Sequence, residues 1–547
     1  MLFLQVGSGW VVLGCAAVLL GCWAYVQRVV YPRKGLPIPP GPTGHWLFGT
    51  PYPKYRAPYK LAELTKKYGP VFSLRHGPRL FVIIGRYQAA MEIMEKEGAS
   101  VADRPRLIAA AETLSGGMRI VTSRNGPPLR RARRALHTMM QPKMAETYEP
   151  LQFRHAKDVL LDILDDPERH QMHARRYAAS VVMGMTYGKV TPTSYSDPEV
   201  IAVNHCLKRV GHAMLPGAYL VDTYPILQYV PGYLTQLRKW HEEELELFEG
   251  QLNTVRKQMA EGTARPCFAK FIIENQQEYQ IPEKEMAYLA GAMFGAGAET
   301  TASAITIMIM AAALHREAQS KAHEELDRVV GRERLPSFAD QQMLPQVTAF
   351  TLESMRWRPV NVGVPHRVTK DIIWRNYVIP EGTTVVGNHW AIANDPDVFP
   401  NPEKFDPQRW LTADGTLRDD LRFCTFGFGR RFCPGQHVAN RSIFMNAALI
   451  FWAFRVSEDP NAPIDSFAFS DTVNQIAAPF RVMFEPRSSE AHIRHLCTEV
   501  DNNYVFIAER PSQRWCLQFN NPLKGYASHV KLTLSLSHLG LVGQPKH

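Results

Sequence analysis

The chain has 547 residues, 45% hydrophobic and 21% charged, a composition that excludes a disordered or collagen-like protein. Lysine and arginine outnumber aspartate and glutamate 62 to 52, and this diffuse excess suits an anionic membrane surface or an acidic protein partner as well as nucleic acid. The 8 cysteines are scattered with no Cys-x-x-Cys pair, which argues against a disulfide framework or a structural zinc cluster.

From Met1 to Gln27 there is no charge beyond the amino terminus. About 20 apolar residues span a bilayer as a helix, so residues 1–27, centred on Trp10 to Val26, are read as a transmembrane signal anchor. No basic region precedes the run, as a cleaved secretory signal requires. Arg28, Arg33 and Lys34 follow it, and by the positive-inside rule the bulk of the chain then lies in the cytosol. Leu36-Pro37-Ile38-Pro39-Pro40-Gly41-Pro42 cannot be helical, because each proline locks φ and restricts the residue before it. Residues 28–44 are read as a semi-rigid linker.

The body, residues 45–490, reads as mainly α with small β-sheets. Val71 to Ile84 looks like two strands joined at His76-Gly77-Pro78. Leu129 to His137 carries Arg130, Arg131, Arg133 and Arg134, on its own a solvated basic helix. Met214 to Leu234 is apolar, aromatic and broken by Pro and Gly; it is either a packed loop or a segment that dips into a membrane. From Pro282 to His315 one helix of about 50 Å is expected at 1.5 Å per residue. Gly291, Gly295, Ala296, Gly297 and Ala298 cluster within it. Each glycine costs a helix about 1 kcal/mol, so this is either a packing seam or a place where something passes close by. A threonine in a helix can bond to the carbonyl one turn back, and Thr300 is placed to do so at Ala296. Helices are also expected over Pro345 to Trp357, with Glu353 and Arg356 stacked at i, i+3, and over Gln436 to Phe454. After about His495 no periodicity is evident, and residues 491–547 are read as an extension.

Just before that last helix lies Phe426-Gly427-Phe428-Gly429-Arg430-Arg431-Phe432-Cys433-Pro434-Gly435. A thiolate ligand to heme iron needs an ionised sulfur on a loop pressed against the porphyrin. A helix N-terminus just after Cys433 favours negative charge there. Gly429 and Gly435 let the backbone turn tightly, Arg431 can pair with a propionate, and Phe426 and Phe428 give apolar cover near the sulfur. Cys424 lacks such a context and is read as structural.

This segment resembles the heme-binding signature of the cytochrome P-450 family, Phe-x-x-Gly-x-Arg-x-Cys-x-Gly, at every fixed position, and the resemblance runs over roughly residues 36 to 490. It implies heme b as cofactor, with Cys433 as the iron ligand and Phe426, Gly429, Arg431 and Gly435 around it. Ala296-Gly297-Ala298-Glu299-Thr300-Thr301 is similar to the family's oxygen-activation motif, which implies that Thr300 steers protons and that Glu299 links to a proton relay. Phe405-Asp406-Pro407-Gln408-Arg409 matches the family's Phe-x-Pro-x-Arg segment, which implies a buried triad of Glu353, Arg356 and Arg409. Arg133 falls on a propionate-binding arginine, although Leu129 replaces the tryptophan expected four residues earlier, and Pro365-His366 matches a position that meets the other propionate.

The resemblance further implies that the pocket roof comes from about Arg106 to Val121, Ala292 to Thr301, Val360 to Val364 and Thr472 to Gln475. That lining is mainly apolar and fits a lipophilic small molecule, with Asn361 and Asn474 as polar guides. No nucleotide-binding glycine loop and no iron–sulfur cysteine set is present, so a separate reductase is needed, and the resemblance to membrane-bound eukaryotic-type members implies NADPH-cytochrome P-450 reductase. Arg130, Arg131, Arg134 and Arg430 could meet its acidic docking face. The expected enzyme is a monooxygenase resembling fungal microsomal members, including those that oxidise secondary metabolites and xenobiotics. It would use O2, sit single-pass in the endoplasmic reticulum membrane with its catalytic domain facing the cytosol, and have no nucleic-acid partner. A peroxide-using isomerase or dehydratase of the same fold, or a heme-binding protein without turnover, are the alternatives.

Overall fold

The 32 residues Glu283–Leu314 form one helix that serves as the axis of the body. Pro282 stands at its N-cap, and Glu283 and Glu285 in the first turn complement the helix dipole. Beyond that turn it is apolar on nearly every side, the pattern of a helix buried all round. It is long and apolar enough to cross a membrane, yet 78% of its most apolar window is buried inside the protein. The computed structural model describes residues 13–17, 20–21, 35–45, 49–77, 79–189, 197–421 and 424–499. Most of the expected anchor, and all of residues 500–547, lie outside the described residues.

The glycines of the axial helix are packing sites. A Cβ on Gly291 would lie 2.3 Å from the ring of Phe248, one on Gly295 2.9 Å from Leu207, and one on Gly297 2.6 Å from Val182. Those partners come from the helices Thr235–Ala260, Pro198–Ala213 and His170–Tyr187. The small residues therefore let three helices approach the axis, and Ala296 is the exposed position between them. The helices Pro345–Trp357 and Gln436–Ala453 pack on its other side.

The strands are β1 (Val71–His76), β2 (Arg79–Ile84), β3 (His366–Arg367), β4 (Ile372–Trp374), β5 (Tyr377–Ile379), β6 (Thr384–Gly387), β7 (Phe454–Glu458) and β8 (Val482–Pro486). A four-stranded sheet runs in the order β1-β2-β6-β3. β1 and β2 form the expected hairpin, in register Val71 to Ile84. β6 adds parallel to β2, and β3 adds antiparallel to β6 with His366 opposite Val385. β4 pairs with β5, and β7 with β8.

Two segments do more than their sequences suggest. The Pro-rich stretch is stitched to the sheets rather than left as a spacer. Proline lacks an N–H but keeps its carbonyl, and Pro37, Pro39 and Pro40 accept from Val378 N, Ser73 Oγ and Ser73 N at 2.9, 2.7 and 2.8 Å. At the other end, the first residues of the expected extension form the helix Glu490–Thr498, capped by Ser489. Ile493 and Cys497 are buried beneath it, and Arg494 pairs with Asp165 at 2.7 Å.

Candidate active site

The cysteine loop leaves a 3-10 turn at Gly429–Arg431 and enters the helix Gln436–Ala453 through Gly435. Cys433 N donates to the carbonyl of Phe426 at 3.0 Å, which closes the loop on itself. Gly429 N donates to a carboxylate oxygen of Glu95 at 2.7 Å. Cys433 keeps some surface of its own but is walled in by protein, and burial pushes its thiol up. A backbone hydrogen bond from Gly435 and the charge of Arg133 oppose that push and favour the thiolate. The other buried thiols are poorer candidates: burial drives Cys206 to about 12 and Cys497 to about 11. The six described cysteines are all free thiols.

Arg133 stands near the sulfur, and Arg431 and Arg104 crowd around Arg133. Arg133 donates to the carbonyl of Phe432 at 3.0 Å. Arg431 donates to the carbonyls of Ala102, Ile120 and Ser123 at 2.7, 3.3 and 2.6 Å. Arg104, 6% exposed, donates to the carbonyls of Val121, Val364 and Pro365. Burial first, then mutual repulsion, lowers Arg431 to about 10 and Arg104 to about 9. His366, on β3, is buried among them, and its Nδ1 lies 2.7 Å from the carbonyl of Val101. Burial, then Arg104, holds its pKa well below the usual imidazole range.

A second group lies on the axial helix. Thr300 Oγ1 donates to the carbonyl of Ala296 at 2.6 Å, the bond its position predicts. Glu299 Oε2 accepts from Asn474 Nδ2 at 2.9 Å. The run from Val360 to His366 links the two groups. Its carbonyls at Val364 and Pro365 hold Arg104, and Asn361 binds Asn474 at 3.1 Å. His389 completes the link: its Nδ1 lies 3.0 Å from the carbonyl of Asn361, and its ring meets Phe428 of the cysteine loop edge-on at 5.8 Å.

The family model for cytochrome P450 matches residues 39–484. Cytochrome P450 monooxygenase 64 of Postia placenta is 55% identical over 452 residues, 82% of this chain and 91% of that protein. Monooxygenase 113 of the same fungus is 53% identical over 487 residues, 89% of this chain and 97% of that protein. A cytochrome P450 monooxygenase of Armillaria gallica is 34% identical over 494 residues, 87% of this chain and 94% of that protein. The chain belongs to the cytochrome P450 family. This P450 is thus an oxidoreductase of the monooxygenase type, and the family's cofactor is heme b.

The residues present fit that cofactor. Arg133 and Arg431 lower the pKa of Arg104, Arg133 lowers that of Arg431, and Asp103 is the carboxylate that acts on both Arg104 and Arg431, so further negative charge suits this cluster. Heme brings two propionates, which suit such a cluster. Cys433 is a buried thiol already under the influence of a cation, and a coordinating thiol is deprotonated by its metal. Arg104 was not evident from sequence, since its role arises from contacts with Val364 and Pro365, 260 and 261 residues away. Leu129, where the family pattern has tryptophan, is buried at 5% exposure.

Behind the site, Glu353 is gripped on both oxygens. Arg356 donates to them from Nε and Nη2 at 2.8 Å each, and Arg409 Nε adds a bond at 3.1 Å. Trp410 Nε1 and the backbone N of Asp406 complete the shell at 2.9 Å each. The expected triad is thus a five-donor cage, buried to 0% at Glu353. Of the arginines expected at the reductase-docking face, Arg131 is half-buried and paired with Glu285 at 2.7 Å. Arg130, Arg134 and Arg430 are exposed.

Proposed function

We propose that this P450 binds heme b through the Cys433 thiolate and inserts one oxygen atom of O2 into a lipophilic small molecule, a secondary metabolite or xenobiotic. Its electrons come from NADPH-cytochrome P450 reductase. Heme supplies the iron at which O2 is activated. The remaining work falls to the chain. Cys433 supplies the sulfur, while Arg133 and the Gly435 N–H favour its charged form. Arg104, Arg133, Arg431 and His366 take the propionates. Phe426, Gly429 and Gly435 shape the loop. Thr300 presents a hydroxyl anchored at Ala296, and Glu299 beside it exchanges protons toward the reacting oxygen. The observation that carries the reading is the Cys433 thiol lying under the charge of Arg133, whose guanidinium is held at the carbonyl of neighbouring Phe432 at 3.0 Å.

The substrate class is supported by the apolar side chains Leu107, Val121, Met214, Leu215 and Val364 that line a cleft, with Arg79 and Asp222 among its polar groups. The reductase is supported by exposed Arg130, Arg134 and Arg430. A single-pass anchor in the endoplasmic reticulum membrane, with a cytosolic catalytic body, is supported by the uncharged start and the basic residues after it.

The reduced, carbon monoxide-bound absorption spectrum of membranes carrying the protein tests the ligand. The red-shifted band of an axial thiolate is expected, and Cys433→Ala should abolish it. Thr300→Ala should keep the band but divert electrons to peroxide; an unchanged product yield there would remove the proton-delivery role. Product formation that needs NADPH and O2 separates this enzyme from a peroxide-using isomerase.

A further inference from the structure

Asn361 and Asn474, read from sequence as guides for a substrate, are engaged with Glu299 and with each other. Glu299 Oε2 accepts from Asn474 Nδ2 at 2.9 Å, Asn474 Oδ1 accepts from Asn361 Nδ2 at 3.1 Å, and Asn361 Oδ1 accepts from Gly363 N at 2.9 Å. The two ends fix the direction of this chain. A carboxylate only accepts, so Asn474 must turn its NH2 toward Glu299. Its oxygen then faces the NH2 of Asn361, whose own oxygen must meet a donor. Gly363 N is such a donor, and a backbone N–H cannot reverse. The chemistry at the two ends of the chain thus sets both amide orientations.

The backbone under the chain is also fixed. Asn361 and Asn474 are bridge partners between two roof segments, with Val362 N bonded to Val473 O and Gln475 N to Val360 O at 3.2 and 2.7 Å. Thr472 Oγ1 and Ser470 Oγ both donate to the Asn474 carbonyl, at 2.6 and 3.1 Å. His389 Nδ1 lies 3.0 Å from the Asn361 carbonyl. A side chain on so rigid a base holds its partner in one place, which is what a group placed for proton transfer requires.

We infer that Asn474 and Asn361 are positioning residues that hold the carboxylate of Glu299 in place next to Thr300. The amides carry no proton themselves. They set where Glu299 stands. This rests on the reading that Glu299 and Thr300 deliver protons.

Asn361→Asp tests it from two hydrogen bonds away. An aspartate there accepts at both ends, so Asn474 must turn its NH2 to it and its carbonyl to Glu299, and the clamp becomes a repulsion. In the full-length holoenzyme the thiolate-type carbon monoxide band should persist, while the share of electrons lost as peroxide rises several-fold. In the ferric enzyme at rest and at fixed pH, the infrared carboxylate stretch assigned to Glu299 by its loss in Glu299→Gln should shift. Asn474→Ser, which shortens the clamp without adding charge, should uncouple in the same direction and serves if Asn361→Asp gives no band. Normal coupling and an unmoved stretch in a variant with a normal band would overturn the inference. Thr300→Ala is the control: if it uncouples while the asparagine variants do not, the clamp fails and the proton-delivery reading stands. If it too stays coupled, the reading itself fails.

Discussion

Gly429 and Gly98 meet backbone to backbone: a Cβ on Gly429 would stand 3.0 Å from the Cα of Gly98, and one on Gly98 3.1 Å from the Cα of Gly429. The Gly429 Cβ would also lie 2.7 Å from the carbonyl oxygen of Met94. The cysteine loop is therefore held from behind by the backbone at Met94 and Gly98 as well as by the side chain of Glu95. Gly429 has φ +54°, a region that costs other residues about 1–2 kcal/mol. Gly429→Ala combines that strain with a clash against backbone. It should lower the melting temperature and the yield of the thiolate-type band. Gly98→Ala, which adds only the clash, should show a weaker form of the same defect. Full band and unchanged melting in both variants would remove this contact as the reason for the glycines.

The cage around Glu353 predicts a fault of folding rather than chemistry. Removing the carboxylate leaves Arg356, 1% exposed, and Arg409, 10% exposed, without their counter-ion. Breaking a buried pair from one side costs about 3–5 kcal/mol. Glu353→Ala should melt earlier and retain less heme, and Glu353→Gln should fall between it and the parent. Turnover per bound heme should be unaltered in molecules that keep the cofactor. A variant with full heme content but slow turnover would give Glu353 a chemical role that its burial does not suggest.

Arg104 makes a separate prediction about the cofactor. Its guanidinium satisfies three carbonyls and adds positive charge beside Arg431 and Arg133. Arg104→Leu removes both, stranding the Val121, Val364 and Pro365 oxygens; a buried unsatisfied group costs about 1–3 kcal/mol. Heme content measured after purification should fall, and so should affinity on titration with heme. Undiminished affinity would show that the remaining cations suffice for the propionates.

Much of this was legible in the sequence where the pattern was local. The hairpin at Val71 to Ile84, the helix Pro345–Trp357, the axial helix and the turn before Gln436 announce themselves within a few residues. The bond from Thr300 to Ala296 follows from one turn of helix. What stayed hidden depends on partners far apart in the chain. Asn474 reaches Glu299 across 175 positions, and Glu95 meets Gly429 across 334. No periodicity encodes such pairs. The role of Gly291, Gly295 and Gly297 was ambiguous for a related reason: a missing side chain says that something is close, not what it is.

Buried histidines set the response to pH. Burial holds His170, His315 and His389 at about 4 and His323 at about 3, all below the ordinary 6.5. These rings stay neutral in the fold, whereas the unfolded chain takes up protons as pH falls through about 6.5. Their contribution to stability is thus complete above that value and declines toward pH 4. Melting temperature should drop as pH is lowered from 7.5 to 5, and His323→Gln should make the drop shallower. A flat profile would mean that these rings titrate in the fold as they do in the unfolded chain.

The loop between Leu220 and Val230 leads to a prediction about the membrane. Leu220, Ile226, Tyr229 and Val230 are 56, 71, 75 and 48% exposed. Large apolar side chains gathered on one loop at that exposure lose free energy in water that a lipid interface returns, with aromatic rings such as Tyr229 favoured at the headgroup level. Residues Met214 and Leu215, earlier in the same stretch, line the cleft. A loop seated in lipid would then place that cleft where a lipophilic substrate is concentrated. A chain lacking residues 1–34 should still partition onto neutral phosphatidylcholine vesicles through this loop. Ile226→Asp with Tyr229→Asp should release it, at about 0.8 kcal/mol for each buried methylene lost. The carbon monoxide band should be unchanged in the pair, since both side chains point to solvent. No partitioning of the truncated parent would assign membrane contact to the N-terminal run alone, and equal partitioning of truncated parent and double variant would remove this loop as the contact.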